Sequence, residues 1–135
     1  MRKILVGTDT SASADLAVMA AADLARANDA ELLVLQALPP THALDVADPR
    51  KSADPERYLA SMATRFPDVR VRSWSEPGDA AERLVDVAEA ERVDAIVVGN
   101  KGVHGSRWRV RESVPNLVLR HAPCSVYIVD TRAAQ

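Results

Sequence analysis

The chain is predicted to fold as a three-layer α/β domain, a five-stranded parallel sheet with helices on both faces. Three observations predict it. Five short apolar runs, Lys3–Gly7, Glu31–Leu38, Val69–Trp74, Asp94–Gly99 and Ser125–Val129, alternate with stretches of helical period along the whole chain. Each strand-helix-strand step of that kind is a right-handed crossover, which lays successive strands parallel and covers both faces. The length, 135 residues, fits one domain spanning 1–135 with a real core and leaves no room for a second.

The first strand, Lys3–Gly7, runs into Thr8-Asp9-Thr10-Ser11, which has the turn and cap chemistry that starts a helix over about Ala12 to Asn28. On helical spacing, Leu16, Ala17, Ala20, Ala21, Leu24 and Ala27 gather on one side, with Asp15 and Arg26 opposite. The second strand is stopped by Pro39-Pro40. The segment from Thr41 to Pro55 has little periodicity, is long for a connection in a compact domain, and reads as a lid or a connector. A short helix is predicted over Glu56–Arg65, packing through Tyr58, Leu59 and Met62. Val69 to Trp74 alternates apolar and polar residues, as an edge strand with one exposed side does. Pro77-Gly78-Asp79 turns the chain into a helix over Ala80–Glu91, N-capped by Asp79, with Ala81, Leu84, Val85 and Ala88 as its stripe. The fourth strand ends at Gly99. A glycine-punctuated loop follows it, then a helix over Val114 to about His121 and the last strand.

Composition bounds the function classes. Apolar residues make up 47% and charged residues 27%, an ordinary globular balance. No apolar stretch has the length of a membrane span and the N-terminus lacks the apolar core of a secretory signal, so the expected location is cytoplasmic. The single Cys124 cannot form an internal disulfide and reads as a small packing residue. The net charge of −2 gives no electrostatic case for nucleic acid. Between Lys101 and Arg120, however, Lys101, Arg107, Arg109, Arg111 and Arg120 face one acid, Glu112, a local excess that suits either a polyanion or plain solvation. The three histidines, His42, His104 and His121, have no metal-ligand spacing. There is no P-loop, nucleophile elbow or convincing carboxylate pair, which argues for binding rather than catalysis.

The stretch Gly99 to Asn116, GNKGVHGSRWRVRESVPN, carries the binding argument. Gly99, Gly102 and Gly105 let a backbone approach a ligand closely, Ser113 is a good N-cap and Pro115 suits a first helical turn. Such a loop can present N–H groups and a helix dipole to phosphate, although glycines after a strand also serve simply to turn a chain. In doubly wound sheets, ligands bind beyond the carboxyl ends of the strands where the strand order reverses. With the first and fourth strands as the central pair, Thr8 and Asp9 come beside Gly99. Asp9 there accepts from a ligand amino group or caps the first helix alongside Ser11. Trp108, between Arg107 and Arg109, is either exposed or closes over a ligand or partner, and Trp74 packs at the end of the third strand.

Three segments, VGTDTS, PGDAAERLVDVAEAERVDAIVVGNKGVHG and ESVPNLVLRHAPCSVYIV, together resemble the universal stress protein family over essentially the full chain. That resemblance implies the strand order 3-2-1-4-5, frequent homodimers and, in one branch, binding of ATP. The intact N-terminal half of the motif described next suits ADP or AMP as alternatives, Mg is expected alongside the nucleotide, and the apolar edge of the fifth strand, with Val126 and Ile128, is where a homodimer is expected to pair. The ATP-binding members carry Gly-x2-Gly-x9-Gly-Ser/Thr. Here Gly99 and Gly102 match the first two glycines, Glu112 occupies the third, and Ser113 matches the last position. By the family's arrangement Asp9 and Ala37 border the adenine, Gly99 and Gly102 lie along the ribose and phosphates, and Ser113 with the Val114 amide holds terminal phosphate oxygens; Thr8, beside Asp9, and Gly105, in the same glycine-punctuated stretch, are expected among the binding residues.

Glu112 is the departure. Its carboxylate about 4 Å from a phosphate costs from ~1 kcal/mol in water to ~4 kcal/mol at an intermediate effective dielectric. Arg107, Arg109 and Arg111 alternate and could neutralise it. Two readings stay open: a nucleotide-responsive regulatory dimer in stress response, and a member of the branch that holds no ATP, acting as a dimeric interaction protein.

Overall fold

The computed structural model describes residues 1–38, 52, 54–100 and 113–132. Strands β1 (Lys3–Gly7), β2 (Glu31–Leu38), β3 (Val71–Pro77), β4 (Ala95–Gly99) and β5 (Ser125–Val129) form one sheet in the order β3-β2-β1-β4-β5, parallel throughout. Helices α1 (Ala12–Asn28), α2 (Pro55–Ala60), α3 (Met62–Arg65), α4 (Ala80–Glu91) and α5 (Val114–His121) complete three layers. Side-chain alternation sorts the core. Ile4, Val6, Leu32, Val34 and Val97 face α1 with Leu59, Met62 and Phe66. Leu5, Leu33, Leu35, Ile96 and Val98 face α4 and α5. The three inner strands are buried on both faces, which is why they read as continuous apolar runs. Among the described residues no helix is long and apolar enough to cross a membrane.

Several expectations shift. The packing face of α1 is rotated: Ala17, Val18, Ala21, Ala22 and Ala25 are buried, Leu16, Ala20 and Leu24 are half-buried and Ala27 is exposed. Alanines occur all round this helix, so hydrophobic contrast does not fix its rotation. The small residues that let the backbone approach the sheet do. On α4, Val87 is buried and Val85 half-buried. The helix predicted over 56–65 is interrupted at Ser61, whose hydroxyl donates to the Tyr58 carbonyl at 2.7 Å in competition with the helical ladder. β3 starts later and ends later than predicted, because a turn bond from the Val69 N–H to the Phe66 carbonyl (3.1 Å) holds the chain back. Its pairing with β2 then continues to Leu38 and Pro77, and Pro77 is tolerated because β3 lies at the sheet edge. Trp74 packs against the α4 side of the core and donates its indole N–H to Glu76 Oε1 at 3.0 Å. Cys124 packs half-buried on the same side, and burial pushes its thiol pKa up. Segment 41–55 falls largely outside the described residues, as do His42, His104 and Trp108.

A polar cluster fastens α2 and α3 to α1. Arg65 donates through both Nη1 and Nη2 to Asp15 at 2.6 Å each, a bidentate fork, and the Tyr58 hydroxyl donates to Asp15 Oδ1. Burial works against the Asp15 carboxylate, but the bonds from Arg65 and Tyr58 outweigh it and hold its pKa below the ordinary value. Burial, then the bond to Asp15, pushes Tyr58 up to about 12.

The sign follows from linkage. A phenol raised from its unfolded value of 10.0 contributes stability below that pH and loses it as pH rises towards about 12. Denaturant unfolding measured over that window should therefore show stability falling more steeply for the parent than for Tyr58→Phe. At pH 7 the variant should be less stable by about 1 kcal/mol, the scale of one partly solvated hydrogen bond.

Candidate functional site

β1 and β4 lie side by side, but the chain leaving β1 enters α1 on one face and the chain leaving β4 leads to α5 on the other. Their divergence opens a hollow of about 320 Å³ at the carboxyl ends of the strands. Thr8, Asp9, Ala37, Gly99 and Val114 all line it, so the structure brings together residues from the ends of β1, β2 and β4 and the start of α5. Ser113 stands immediately before Val114, buried, but is not part of the lining. Gly102, Gly105, Glu112 and the arginines at 107, 109 and 111 lie outside the described residues.

The polar groups concentrate here. Among the described residues the buried polar side chains are Thr8, Thr10, Ser11, Ser13, Gln36, Ser113 and Thr131, and all belong to the carboxyl end of the sheet or the helix starts above it. A core otherwise apolar thus gathers its buried polar side chains at one end, beside the hollow, which makes that end the candidate site.

The β1–α1 turn is tightly specified. The Thr8 N–H donates to the Leu35 carbonyl (3.0 Å), carrying the β1–β2 pairing one residue further. Thr8 Oγ1 accepts the Thr10 N–H (2.9 Å) and Asp9 Oδ1 accepts the Ser11 N–H (3.0 Å). The N-cap of α1 is Ser11, whose Oγ accepts the Ala14 N–H at 3.2 Å, so Asp9 is released from the capping role that the sequence leaves open to it. Its Oδ2 has no hydrogen-bond partner among the described residues. Asp9 is also the only charged side chain among the described lining residues.

The opposite wall is a residue that sequence reasoning passed over. Thr131, fully buried, lines the hollow from the tail beyond β5. Asn100 holds it there, its Oδ1 accepting both the Thr131 N–H and Oγ1–H at 3.0 Å. Gly99 is glycine for this reason, since a Cβ on it would come within 2.8 Å of Thr131 Cγ2. The missed signal was register: Gly99 pairs with Val129, and a two-residue period puts position 131 on the same side as 129. The apolar share of the lining, Leu35, Leu84, Val98 and Pro115, was read only as core.

The starts of α1, α4 and α5 reach the hollow through Ala14, Ala80 and Val114, each carrying the positive end of a helix dipole. Ser113 Oγ accepts the Asn116 N–H at 3.3 Å, which leaves its hydroxyl proton free to donate. The arrangement offers an apolar slot for a flat ring, one carboxylate oxygen for a ligand N–H, and helix-start amides for an anion. Among the described residues no group of three or more His, Cys, Asp or Glu could hold a metal.

Comparison with known proteins agrees with this architecture. The model of the universal stress protein family matches residues 1–130. A universal stress protein of Mycobacterium tuberculosis is 32% identical over 142 residues, covering 96% of this chain and 97% of the relative. A universal stress protein solved in complex with cAMP superposes with a TM-score of 0.81 at 27% identity, covering 96% of this chain and 97% of that one. One from Archaeoglobus fulgidus, in complex with dAMP, gives 0.67 at 18% identity over 95% and 97%, a likeness of fold.

The Gly99–Thr131 contact is open to test. Gly99→Ala should cost about 1–3 kcal/mol in denaturant unfolding, the usual penalty of overpacking. Adding Thr131→Ser, which removes Cγ2 and keeps the hydroxyl bonded to Asn100, should recover at least half of the loss.

Proposed function

The chain belongs to the universal stress protein family, and from that premise we propose that it is a stress-response protein that binds an adenine nucleotide in the hollow between Asp9 and Gly99. One observation carries the reading: Asp9 presents a carboxylate oxygen without a described partner to an apolar slot that faces the start of α5. Asp9 accepts from the adenine amino group while Thr8 and Ala37 border the ring. Gly99 leaves room for the ribose, and the Val114 N–H, unpaired within its own helix, meets the phosphate together with the Ser113 hydroxyl. Gly102 and Gly105 follow Gly99 in the sequence, and Arg107, Arg109 and Arg111 add positive charge to the same stretch.

A nucleotide with one phosphate suits this chain better than ATP. The hollow, about 320 Å³, lies at the small end of the range for ligand sites. Glu112 adds negative charge to the stretch that would meet further phosphates. A relative at 27% identity was solved with cAMP. ADP and ATP, with Mg, remain weaker ligands on this reading. Occupancy then alters what a homodimer offers to a partner.

The second reading is an interaction protein that holds no nucleotide. It draws on Glu112 and on β5, an edge strand on which Tyr127 and Ile128 are exposed, with Leu119 exposed on α5. In both readings β5 pairs two copies of the chain.

Titration calorimetry with AMP, ADP and ATP, with and without Mg, separates the two. Heat with AMP exceeding that with ATP is expected, and silence at millimolar ligand leaves only the interaction protein. Asp9→Asn should weaken AMP about tenfold, the factor of one charge-assisted hydrogen bond, and Glu112→Gly should strengthen ATP by about 1 kcal/mol or more. Sedimentation at micromolar protein should give a dimer that Ile128→Lys converts to monomer. A parent that is already monomeric would rule out the β5 pairing.

A further inference from the structure

Thr10 stands between two lining residues, Asp9 and Ser11, yet does not line the hollow itself. Its φ is 67°, a left-handed conformation that β-branched residues rarely adopt, and it is buried. The other described non-glycine residues with positive φ, Asp29 and Arg92, are helix C-caps, where this conformation closes a helix. Thr10 closes nothing, since α1 begins two residues later. Glycine would take this backbone freely. Threonine adds a hydroxyl, and the hydroxyl is used: Oγ1 accepts the Ser52 N–H at 3.0 Å.

Ser52 is tied in turn to the start of α2. Its Oγ accepts the Asp54 N–H (3.2 Å), and Asp54 Oδ1 accepts the Arg57 N–H (3.1 Å) as the N-cap of α2. α2 carries Tyr58, whose hydroxyl donates to Asp15 on the first turn of α1. The turn is therefore gripped from inside by the Thr8 hydroxyl on the Thr10 N–H and from outside by the Ser52 amide on the Thr10 side chain.

The geometry points to Thr10 as a positioning residue for the hollow: the Ser52 amide holds its left-handed backbone, which fixes the Asp9 carboxylate on the Ser11 N–H and aims the free oxygen at the ligand. The inference rests on the adenine-nucleotide reading for what the aimed oxygen meets. With the clamp in place the turn is ordered before a ligand arrives. Without it the ligand must order the turn as it binds, and affinity falls.

Three variants test this, each with thermal unfolding, AMP calorimetry and NMR-detected exchange of the Ser11 amide. Thr10→Ser keeps the hydroxyl and should match the parent in affinity and exchange. Thr10→Gly relieves the backbone and should be at least as stable as the parent, yet bind AMP about fivefold to tenfold more weakly, the factor of one lost hydrogen bond, and exchange the Ser11 amide faster. Thr10→Val keeps the branched shape without the hydroxyl and should lose both stability and affinity. A residue with only a structural role would change stability while leaving affinity and Ser11 exchange untouched. Should Thr10→Gly and Thr10→Val keep the parent's Ser11 protection, the inference is overturned whether or not nucleotide binds. Should the parent give no heat with AMP, the nucleotide reading fails, and Ser11 exchange still decides the role of Thr10.

Discussion

Two parallel strands that lie side by side but send their chains to opposite faces leave a space that neither continuation can fill. β1 and β4 are that pair, and the rest of the molecule depends on their parallel register, Ile4 against Ala95 through Val6 against Val97. The register brings both strand ends to the same level, so the turn after β1 and the start of the loop after β4 become the two lips of one hollow. It also directs the N-termini of the covering helices towards that end, because each helix must run antiparallel to the strands it connects. The position of the site and its electrostatic bias thus come from a single pairing.

The two faces of the sheet meet this end differently. On one side α1 comes close because alanine and serine dominate its packing surface, which places Ser11, Ser13 and Ala14 at the rim. On the other side α4 approaches through Leu84, whose Cδ1 would lie 3.0 Å from a Cβ placed on Gly7. Gly7 and Gly99, the last residues of the two central strands, therefore leave space for a neighbouring side chain, Leu84 in one case and Thr131 in the other. Glycine at a strand end here records close packing around a cavity, in addition to the backbone freedom that the loop glycines suggest.

Much of this was legible before any coordinates. The strand sequence, the caps at Ser11, Asp79 and Ser113, and the meeting of Asp9 with Gly99 follow from period, cap chemistry and the doubly wound rule, because each depends on local residue type or on topology. What was not legible depends on distance or on rotation. An alanine-rich α1 has no contrast to orient it. The limits of β3 are set by its partner strand and by a turn at Phe66 and Val69, beyond the reach of local pattern. Thr131 reads as tail because only the β4–β5 register carries it to the hollow, and the left-handed backbone of Thr10 is hidden in a residue type that argues against it.

Asn100 makes four hydrogen bonds to the end of β5 and the residues that follow it: its N–H to the Val129 carbonyl, its Oδ1 from two donors of Thr131, and its Nδ2 to Asp130 Oδ1. The outermost strand and the inner wall of the cavity are consequently tied to one residue, the strand through its main chain and the wall through its amide side chain. Tyr127 and Ile128, exposed on that strand, thus stand only a few residues along the chain from Thr131, the residue that walls the cavity from within.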